Sequence, residues 1–470
     1  MWRAARLGVF ALVLIATAYY FLLPGIAVIR DLSDGGLRGD GIPRRAKSLH
    51  RDLSAQIETW ARDRIRTRAA SDAALHDVPT TEWPMFTAVF YLMATENLMK
   101  QHGFEETGNV LPEYARGAVE ATKDLLLDPS HHTWVRTHWG DDYMHDNNVF
   151  FRALIIAGLT SYENVTHNGG TLPVLRDQVD SLAAILDASP LGVLDDYPGE
   201  CYPIDVLGAV AFIRRADALL GTDHSGFVTR ELRAFTGARS DDLGLIPYRV
   251  DLPSGAFVQR SRGIGNSWIG MFAPELWPEQ AATWHERYTT HYWQNRGWAS
   301  GFREYPRRQG ESEWTFEIDA GLILDGFGTA SSAFGIGAAR RNGRLDQAYE
   351  LSSEMIAMSW PLPSGTLMGP RAVSHAADAP YLGEAAIMYF LTVEPAPGVQ
   401  VVRGGSTPLL VYAMLLFYFG VTAIVVNGVF QRNRRKRPLA SRIRPLSRFS
   451  RTAPQGRVYN DGRTEGETHG

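Results

Sequence analysis

The chain has 470 residues, 45% of them hydrophobic and 21% charged, which is enough apolar material for one large folded domain and excludes a disordered or fibrous protein. Its net charge is −4, yet residues 431–470 hold eleven Lys/Arg against three Asp/Glu, leaving 36 basic and 48 acidic residues in 1–430; so acidic a body argues against nucleic acid as a partner. The single cysteine, Cys201, excludes an intrachain disulfide and a cysteine-built zinc site.

In chain order, Leu7–Ile29 is an uncharged apolar run of 23 residues. That suffices for the roughly 20 residues a bilayer requires and exceeds the ~7–15-residue core of a cleaved signal. Residues 1–29 are therefore expected to form a cytoplasmic N-terminus and a first transmembrane helix. Residues 30–48, rich in Gly, Arg and Asp, read as a linker. From 49 to 400, apolar residues recur at helical spacing between Gly/Pro/Asp-rich breaks, predicting helices at 50–70, 83–102, 111–127, 145–162, 171–188, 202–221, 225–237, 263–273, 278–296, 317–341, 344–358 and 380–392. The only clear strand pattern is at 243–259, where two β-rich stretches flank Leu252-Pro-Ser-Gly255 as a hairpin. Leu409–Phe430, 22 uncharged residues, predicts a second transmembrane helix. The basic run Gln431–Arg437 behind it is a stop-transfer signal that places the Arg-rich, disordered tail 431–470 in the cytoplasm. Two spans put Arg3 and Arg6 on the same side and residues 30–407 outside, although Arg30, Arg38, Arg44, Arg45, Lys47 and Arg51 lie just beyond the first span.

Twelve helices in six pairs predict an all-α fold, an (α/α)6 toroid with a small β-hairpin insertion, flanked by two transmembrane helices. The segments beginning near 83, 145, 202, 263, 317 and 380 open with polar or aromatic residues and continue apolar, as inner helices do; the alternate ones carry charged faces. Inner-helix starts converge on one mouth, where candidate chemistry is sought.

The second entry, Thr137-His-Trp-Gly-Asp-Asp-Tyr-Met-His-Asp-Asn-Asn148, offers Asp142 and His145 as an acid/base pair beside Trp139 and Tyr143; the plainer reading is a helix cap with a solvated histidine. The third, Asp195-Asp-Tyr-Pro-Gly-Glu-Cys-Tyr-Pro-Ile-Asp205, places Asp205 on the apolar face of Ala209 and Phe212. Burial there raises a carboxyl and makes it a general acid, with Asp196 or Glu200 as its partner and Tyr197 and Tyr202 at hand; a first-turn charge on the helix dipole is the alternative. Cys201 reads as an inert thiol. The fifth entry, Trp298-Ala-Ser-Gly-Phe-Arg-Glu-Tyr-Pro306 followed by Trp314-Thr-Phe-Glu-Ile-Asp-Ala-Gly321, supplies Arg303, Tyr305 and Trp314 for binding and Glu317 and Asp319 as acids. Arg303–Glu304 reads equally well as a structural ion pair. Asn266 and Trp268, Glu82-Trp83-Pro84, and Tyr381 with His375 and Glu384 complete the ring. No Walker, GxSxG or SxxK motif is present, Gly326-Phe-Gly328 is no dinucleotide loop, and His138, Asp141 and His145 offer metal ligands by residue type but without an HExxH or DxDxDG pattern, so neither cofactor nor metal is expected.

Asp146-Asn-Asn-Val-Phe-Phe-Arg-Ala-Leu-Ile-Ile-Ala-Gly158, the stretch from Tyr197-Pro198 to Asp217-Ala-Leu-Leu-Gly-Thr-Asp223, and Ala333-Phe-Gly-Ile-Gly-Ala-Ala-Arg-Arg-Asn-Gly343 resemble the linalool dehydratase/isomerase family over roughly residues 83–345. The resemblance implies an (α/α)6 barrel and cofactor-free acid/base loss or addition of water on an allylic terpene alcohol. It aligns Asp196 and Asp205 with cysteines of that family and Ala153 with its catalytic histidine, so here carboxylates would do the work of thiols. The expected function is thus a membrane-anchored hydro-lyase or isomerase acting on a lipid-like or terpenoid alcohol. Paired carboxylates and tryptophans equally suit a glycosidase or lyase acting on envelope glycan, and a noncatalytic ligand-binding or scaffold domain is the third reading.

Overall fold

The computed structural model describes residues 2–104, 110–307, 313–376 and 379–434. The chain divides into two units, Met1–Val425 and Val426–Gly470. The first is mostly helical with a few small strands and carries apolar helices at both ends of the sequence. Of the second, the described part is the end of a helix, in which Gln431 Nε2 donates to Asn427 Oδ1 (3.2 Å); the basic tail expected to be disordered otherwise lies outside the described residues.

The N-terminal apolar segment is nearly continuous: α1 (Trp2–Thr17), a π-turn at Ala18–Leu22 and α2 (Leu23–Leu32). After the short α3 (Gly35–Arg38) come α4 (Arg44–Thr67), α5 (Val78–Lys100), α6 (Glu113–Leu126), α7 (Thr133–Trp139), α8 (Val149–Thr166), α9 (Leu172–Ala188), α10 (Pro203–Leu220) and α11 (Ser225–Glu231). A hairpin, β1 (Arg249–Val250) and β2 (Phe257–Gln259), leads into α12 (Gly263–Leu276) and α13 (Pro278–Tyr292). Two more antiparallel units follow, β3 (Trp293–Asn295) with β4 (Ser300–Phe302), then β5 (Trp314–Glu317), β6 (Gly321–Leu324) and β7 (Phe327–Gly328). The described chain ends with α14 (Thr329–Arg341), α15 (Leu345–Met358), α16 (Met368–Ala376), α17 (Leu382–Thr392) and α18 (Leu409–Arg434). The segments Ala4–Leu32 and Leu409–Arg432 are each long and apolar enough to cross a membrane.

Six helices pack in succession: α5 on α8, α8 on α10, α10 on α12, α12 on α14, α14 on α17, and α17 on α5 again. They are largely buried, as α8 and α10 show with 16 and 13 of their 18 residues out of solvent. A second set covers them. In it α13 buries only Ala281, Trp284, Tyr288 and Tyr292, a single stripe at helical spacing whose other faces are polar.

Two expectations need correction. The helix expected at 317–341 starts only at Thr329, because Trp314, Phe316 and Ile318 alternate at period two and Gly321 and Gly326 take positive φ (67° and 81°) in turns, so residues 314–328 form a three-stranded sheet. The linker is also folded: the buried Arg45 guanidinium grips the buried Asp31 carboxylate (Nε–Oδ2 2.7 Å), which starts α4 at Arg44 and ties it to α2.

Candidate active site

The beginnings of α5 and α10 meet the turn between β5 and β6, and acidic side chains collect there. Pro84 inside α5 removes the N–H that would bond the Thr80 carbonyl. Arg64 Nη2 donates to that carbonyl instead, and His131 Nε2 lies 2.9 Å from the next one, Thr81 O. Those supports hold the first turns of α5 and with them Glu82, which is buried with Oε1 unpartnered.

Asp196 sits in a tight turn in which its amide donates to Glu200 O (2.8 Å) and Gly199 takes φ 80°. One carboxylate oxygen accepts the Tyr202 amide (2.8 Å) while Oδ1 is buried without a partner. Asp205 follows Pro203 in the first turn of α10. One turn further, a Cβ on Gly208 would stand 2.9 Å from Trp268 Nε1, so only glycine lets that indole lie against α10. The Trp268 N–H is buried without an acceptor, and its ring joins Phe86, Phe212, Phe272 and Phe334 in an aromatic floor with centroids 4.7–6.2 Å away.

Asp319, in the β5–β6 turn, accepts the Tyr248 hydroxyl (2.7 Å). Tyr248 also meets the Tyr202 ring edge-on (5.4 Å) and carries the Arg262 guanidinium over its face (4.5 Å). Arg262 is spoken for by the fully buried Glu304 (2.6 Å) and lies 3.7 Å from Glu317, which accepts the Tyr305 hydroxyl (2.8 Å). Glu200 accepts the Tyr202 hydroxyl (2.7 Å).

Burial raises the Asp205 carboxyl to about 8, with the Asp319 charge adding to the effect. Burial first, then the Asp205 charge, pushes Asp196 well up against the pull of the Tyr202 amide. Burial and the charges of Asp319 and Asp205 do the same to Glu82. Among the described residues, none of Glu82, Asp196 and Asp205 forms an ion pair. Carboxyls that feel one another's charge titrate together, since ionising one opposes ionising the next. The cluster can therefore donate a proton at neutral pH and accept one back.

Of the residues singled out in the sequence, Asp196, Asp205 and Asp319 come together, with Glu200, Tyr202, Glu317, Tyr305 and Trp268 around them. Asp142 and His145 do not join them. His145 pairs with Asp142 (2.8 Å) and with Asp177 on α9 (3.0 Å) on an exposed surface, because its loop turns outward before α8 begins. Tyr143 bonds His132 (2.9 Å) on that flank, where Trp139 is half-buried at the end of α7. Trp83 is half-buried beside Glu82, and Tyr197 packs on His76 (5.1 Å). Asn266 turns back on its own helix, donating to Arg262 O (2.8 Å). Arg303 is a buried tie between strands, bonding Gln294 (2.9 Å), Glu313 (3.2 Å) and Tyr305 O (2.9 Å), so it is structural. Trp314 is exposed on β5, and Tyr381 stacks under Arg371 (4.4 Å) at the start of α17, whose Glu384 that arginine neutralises. Burial pushes the Cys201 thiol up, which leaves it inert. Glu82 and Tyr248 are the members that sequence reasoning undervalued. Among the described residues no group of three or more His, Cys, Asp or Glu is arranged to hold a metal ion.

A cavity of about 190 Å³ lies at the far ends of the same helices, away from the acidic cluster. Its charges answer one another, with Arg215 and Arg341 on Glu275 (2.8 and 2.6 Å) and Lys100 on Glu96 (2.6 Å). It lacks the uncompensated acids of the first site.

The protein is thus mostly helical, with two helices apolar enough to cross a membrane and a cluster of carboxyls where α5, α10 and the β5–β6 turn meet. No family model matches the chain, and no curated protein matches it in sequence.

Proposed function

We propose that this is a membrane-anchored enzyme of cofactor-independent acid/base chemistry, similar to the linalool dehydratase/isomerase family, acting on a lipid-like or terpenoid alcohol. The observation that carries the reading is the proximity of Glu82, Asp196 and Asp205, none of them in an ion pair among the described residues, with Phe86 one turn beyond Glu82 and Trp268 against Gly208 one turn beyond Asp205. The closed succession of six helices under a second helical set supports an (α/α)6 toroid. The two apolar helices support a two-span anchor, with both termini cytoplasmic and the large domain outside, as the basic run after the second one favours.

In the proposed step Asp205 gives its proton to the substrate hydroxyl. The C–O bond breaks and its electron pair leaves with water. A second carboxyl group of the cluster, acting as the base, removes a proton from the adjacent carbon, and the C–H pair becomes the new double bond. Proton exchange within the cluster restores Asp205. The Trp268 N–H, unpartnered beside Gly208, is placed to orient the hydroxyl.

A scaffold role loses ground, because scaffold carboxylates would be paired or mutually distant. The test is turnover of a panel of prenyl alcohols and a panel of envelope oligosaccharides by the full chain in nanodiscs, with Asp205→Asn and Glu82→Gln beside it. Loss of water from a prenyl alcohol, abolished by Asp205→Asn, is the expected result. Turnover of a glycan would transfer the site to carbohydrate chemistry, and turnover indifferent to Asp205 would remove the carboxyl mechanism.

A further inference from the structure

The hairpin that carries Asp319 is built inside out. Cross-strand partners Trp314↔Leu324 and Phe316↔Leu322 share one face, while Thr315↔Ile323 share the other. Ile323 is buried, so that second face meets the domain. The outer face is the apolar one: Trp314 is 68% exposed, Phe316 61%, Leu322 49% and Leu324 39%, with Ile318 at the turn 45% exposed. Strands with one solvated face normally turn polar side chains outward. A contiguous apolar surface of this kind marks an interaction site. Phe257 and Val258 on the β1–β2 hairpin, which precedes α12, add a smaller exposed apolar pair.

The direction of the apolar helices says what meets this face. Helix α15 returns antiparallel beside α14, so it ends at the level where α14 begins, next to β7 and the Asp319 turn. Both apolar segments lie along α15, the N-terminal one leading away from that end and α18 leading towards it. Tyr349, near its start, bonds Arg38 and Thr407, whereas Ala357 O, near its end, accepts the Tyr418 hydroxyl (2.9 Å). Just past it, Trp360 Nε1 donates to Tyr20 O (2.6 Å) and its ring meets Phe21 and Phe417 (5.4 and 5.5 Å). Beyond that aromatic collar α18 runs on from Phe419, and α1 likewise continues through residues 4–20. At 1.5 Å per residue this is about 25 Å, short of the ~30 Å hydrocarbon core, so a bilayer entered by α1 reaches the collar itself. Tyr19, Tyr20 and Trp360, all at least partly exposed, have the composition of an interfacial belt.

We infer that the outer face of the β5–β6 hairpin is seated in the interfacial layer of the lipid bilayer, which puts the acidic site at the lipid surface and lets an amphiphilic substrate enter from the leaflet. The inference rests on reading α1 as a membrane span. It is tested on the full chain in vesicles of phosphatidylcholine and phosphatidylglycerol, with an environment-sensitive fluorophore on single introduced cysteines. The native Cys201 is buried and does not compete for the label. Phe316→Cys reports the hairpin, Val9→Cys the α1 span, and Asp223→Cys, exposed behind the end of α10, the opposite pole. Lipids spin-labelled near the headgroup are expected to quench and blue-shift the probe at 316. Lipids labelled deep in the chain should quench the probe at 9 to a similar extent, and neither should affect the probe at 223. Quenching at 9 but not at 316 overturns the hairpin inference and leaves the span standing. No quenching at 9 overturns the span and the inference with it. A probe at 316 shielded from aqueous iodide yet untouched by either lipid label assigns the face to a protein partner, which also refutes the proposal.

Discussion

Replacing Asp205 by asparagine should stabilise the protein, and increasingly so as pH rises. The folded carboxyl is held near 8, against an ordinary value near 4 in the unfolded chain. A raised acid means that the folded state binds more protons than the unfolded one between those limits, so wild-type stability is greatest below pH ~4 and falls until about pH 8. At about 1.4 kcal/mol per pH unit the full penalty is on the order of 5 kcal/mol. Asp205 keeps part of its surface open and its titration is linked to that of its neighbours, which cuts the figure to roughly 2–3 kcal/mol. Asparagine keeps the shape and cannot ionise. For a domain of this size, unfolding entropy near 0.8 kcal/mol per degree converts the gain to about 3–4 °C in Tm at pH 8 and about zero at pH 4. Thermal unfolding of the full chain in detergent, followed by tryptophan fluorescence at several pH values, reads it directly. A variant that is equally or less stable than wild type at pH 8 would refute the claim that this carboxyl is buried without compensation.

The remaining predictions separate the site from its surroundings. Glu231, fully buried with both oxygens unpartnered and raised to about 8 chiefly by burial, should show the same pH signature on Glu231→Gln, while turnover stays at the wild-type level. Gly208→Ala forces the Trp268 indole away from α10 and should cost about 1–3 kcal/mol in denaturant unfolding together with most of the activity. His145→Ala should cost at most ~1 kcal/mol. Its ring is raised by hydrogen bonds to Asp142 and Asp177, so the pair stabilises below the unfolded histidine value and that contribution is lost as pH rises through the folded one, with turnover unaffected throughout. Asp31→Ala strands the buried Arg45 guanidinium and should cost about 3–5 kcal/mol, the largest loss of the set.

Local pattern carried the helices and one half of the site. Asp205 stands out in sequence because a carboxylate lies on the same face as Ala209 and Phe212, and the fold does bury that face. Asp196 follows from its place in the turn before α10. Glu82 is harder to see, since Thr-Thr-Glu-Trp-Pro reads as an ordinary helix start, and its burial depends on Arg64 and His131 arriving from elsewhere in the chain. Tyr248 lies in Pro-Tyr-Arg with no periodic signal; it matters through the long-range bond to Asp319. Asp31 and Arg45 sit in a stretch whose composition suggests a flexible linker, because nothing local reveals that the two are buried against each other. At residues 314–324 the alternation of Trp314, Phe316 and Ile318 is legible, but sequence pattern does not show which face of a strand meets solvent.

The protein elsewhere treats buried acids consistently, which is what gives the cluster its meaning. Asp31 has Arg45, Glu304 has Arg262 with the Ile264 amide, and Glu384 has Arg371 with the Leu367 amide. A carboxylate with such partners is satisfied and is explained by architecture alone. Glu231 breaks the rule, but in isolation, so a raised value by itself does not single out a site. What Glu82, Asp196 and Asp205 have beyond Glu231 is one another, together with Asp319 and the Tyr248 hydroxyl. A lone buried acid can only hold a proton, whereas a group of them can release one and recover it in the same place. That difference, rather than the depth of burial, is the reason to look for chemistry where α5, α10 and the β5–β6 turn converge.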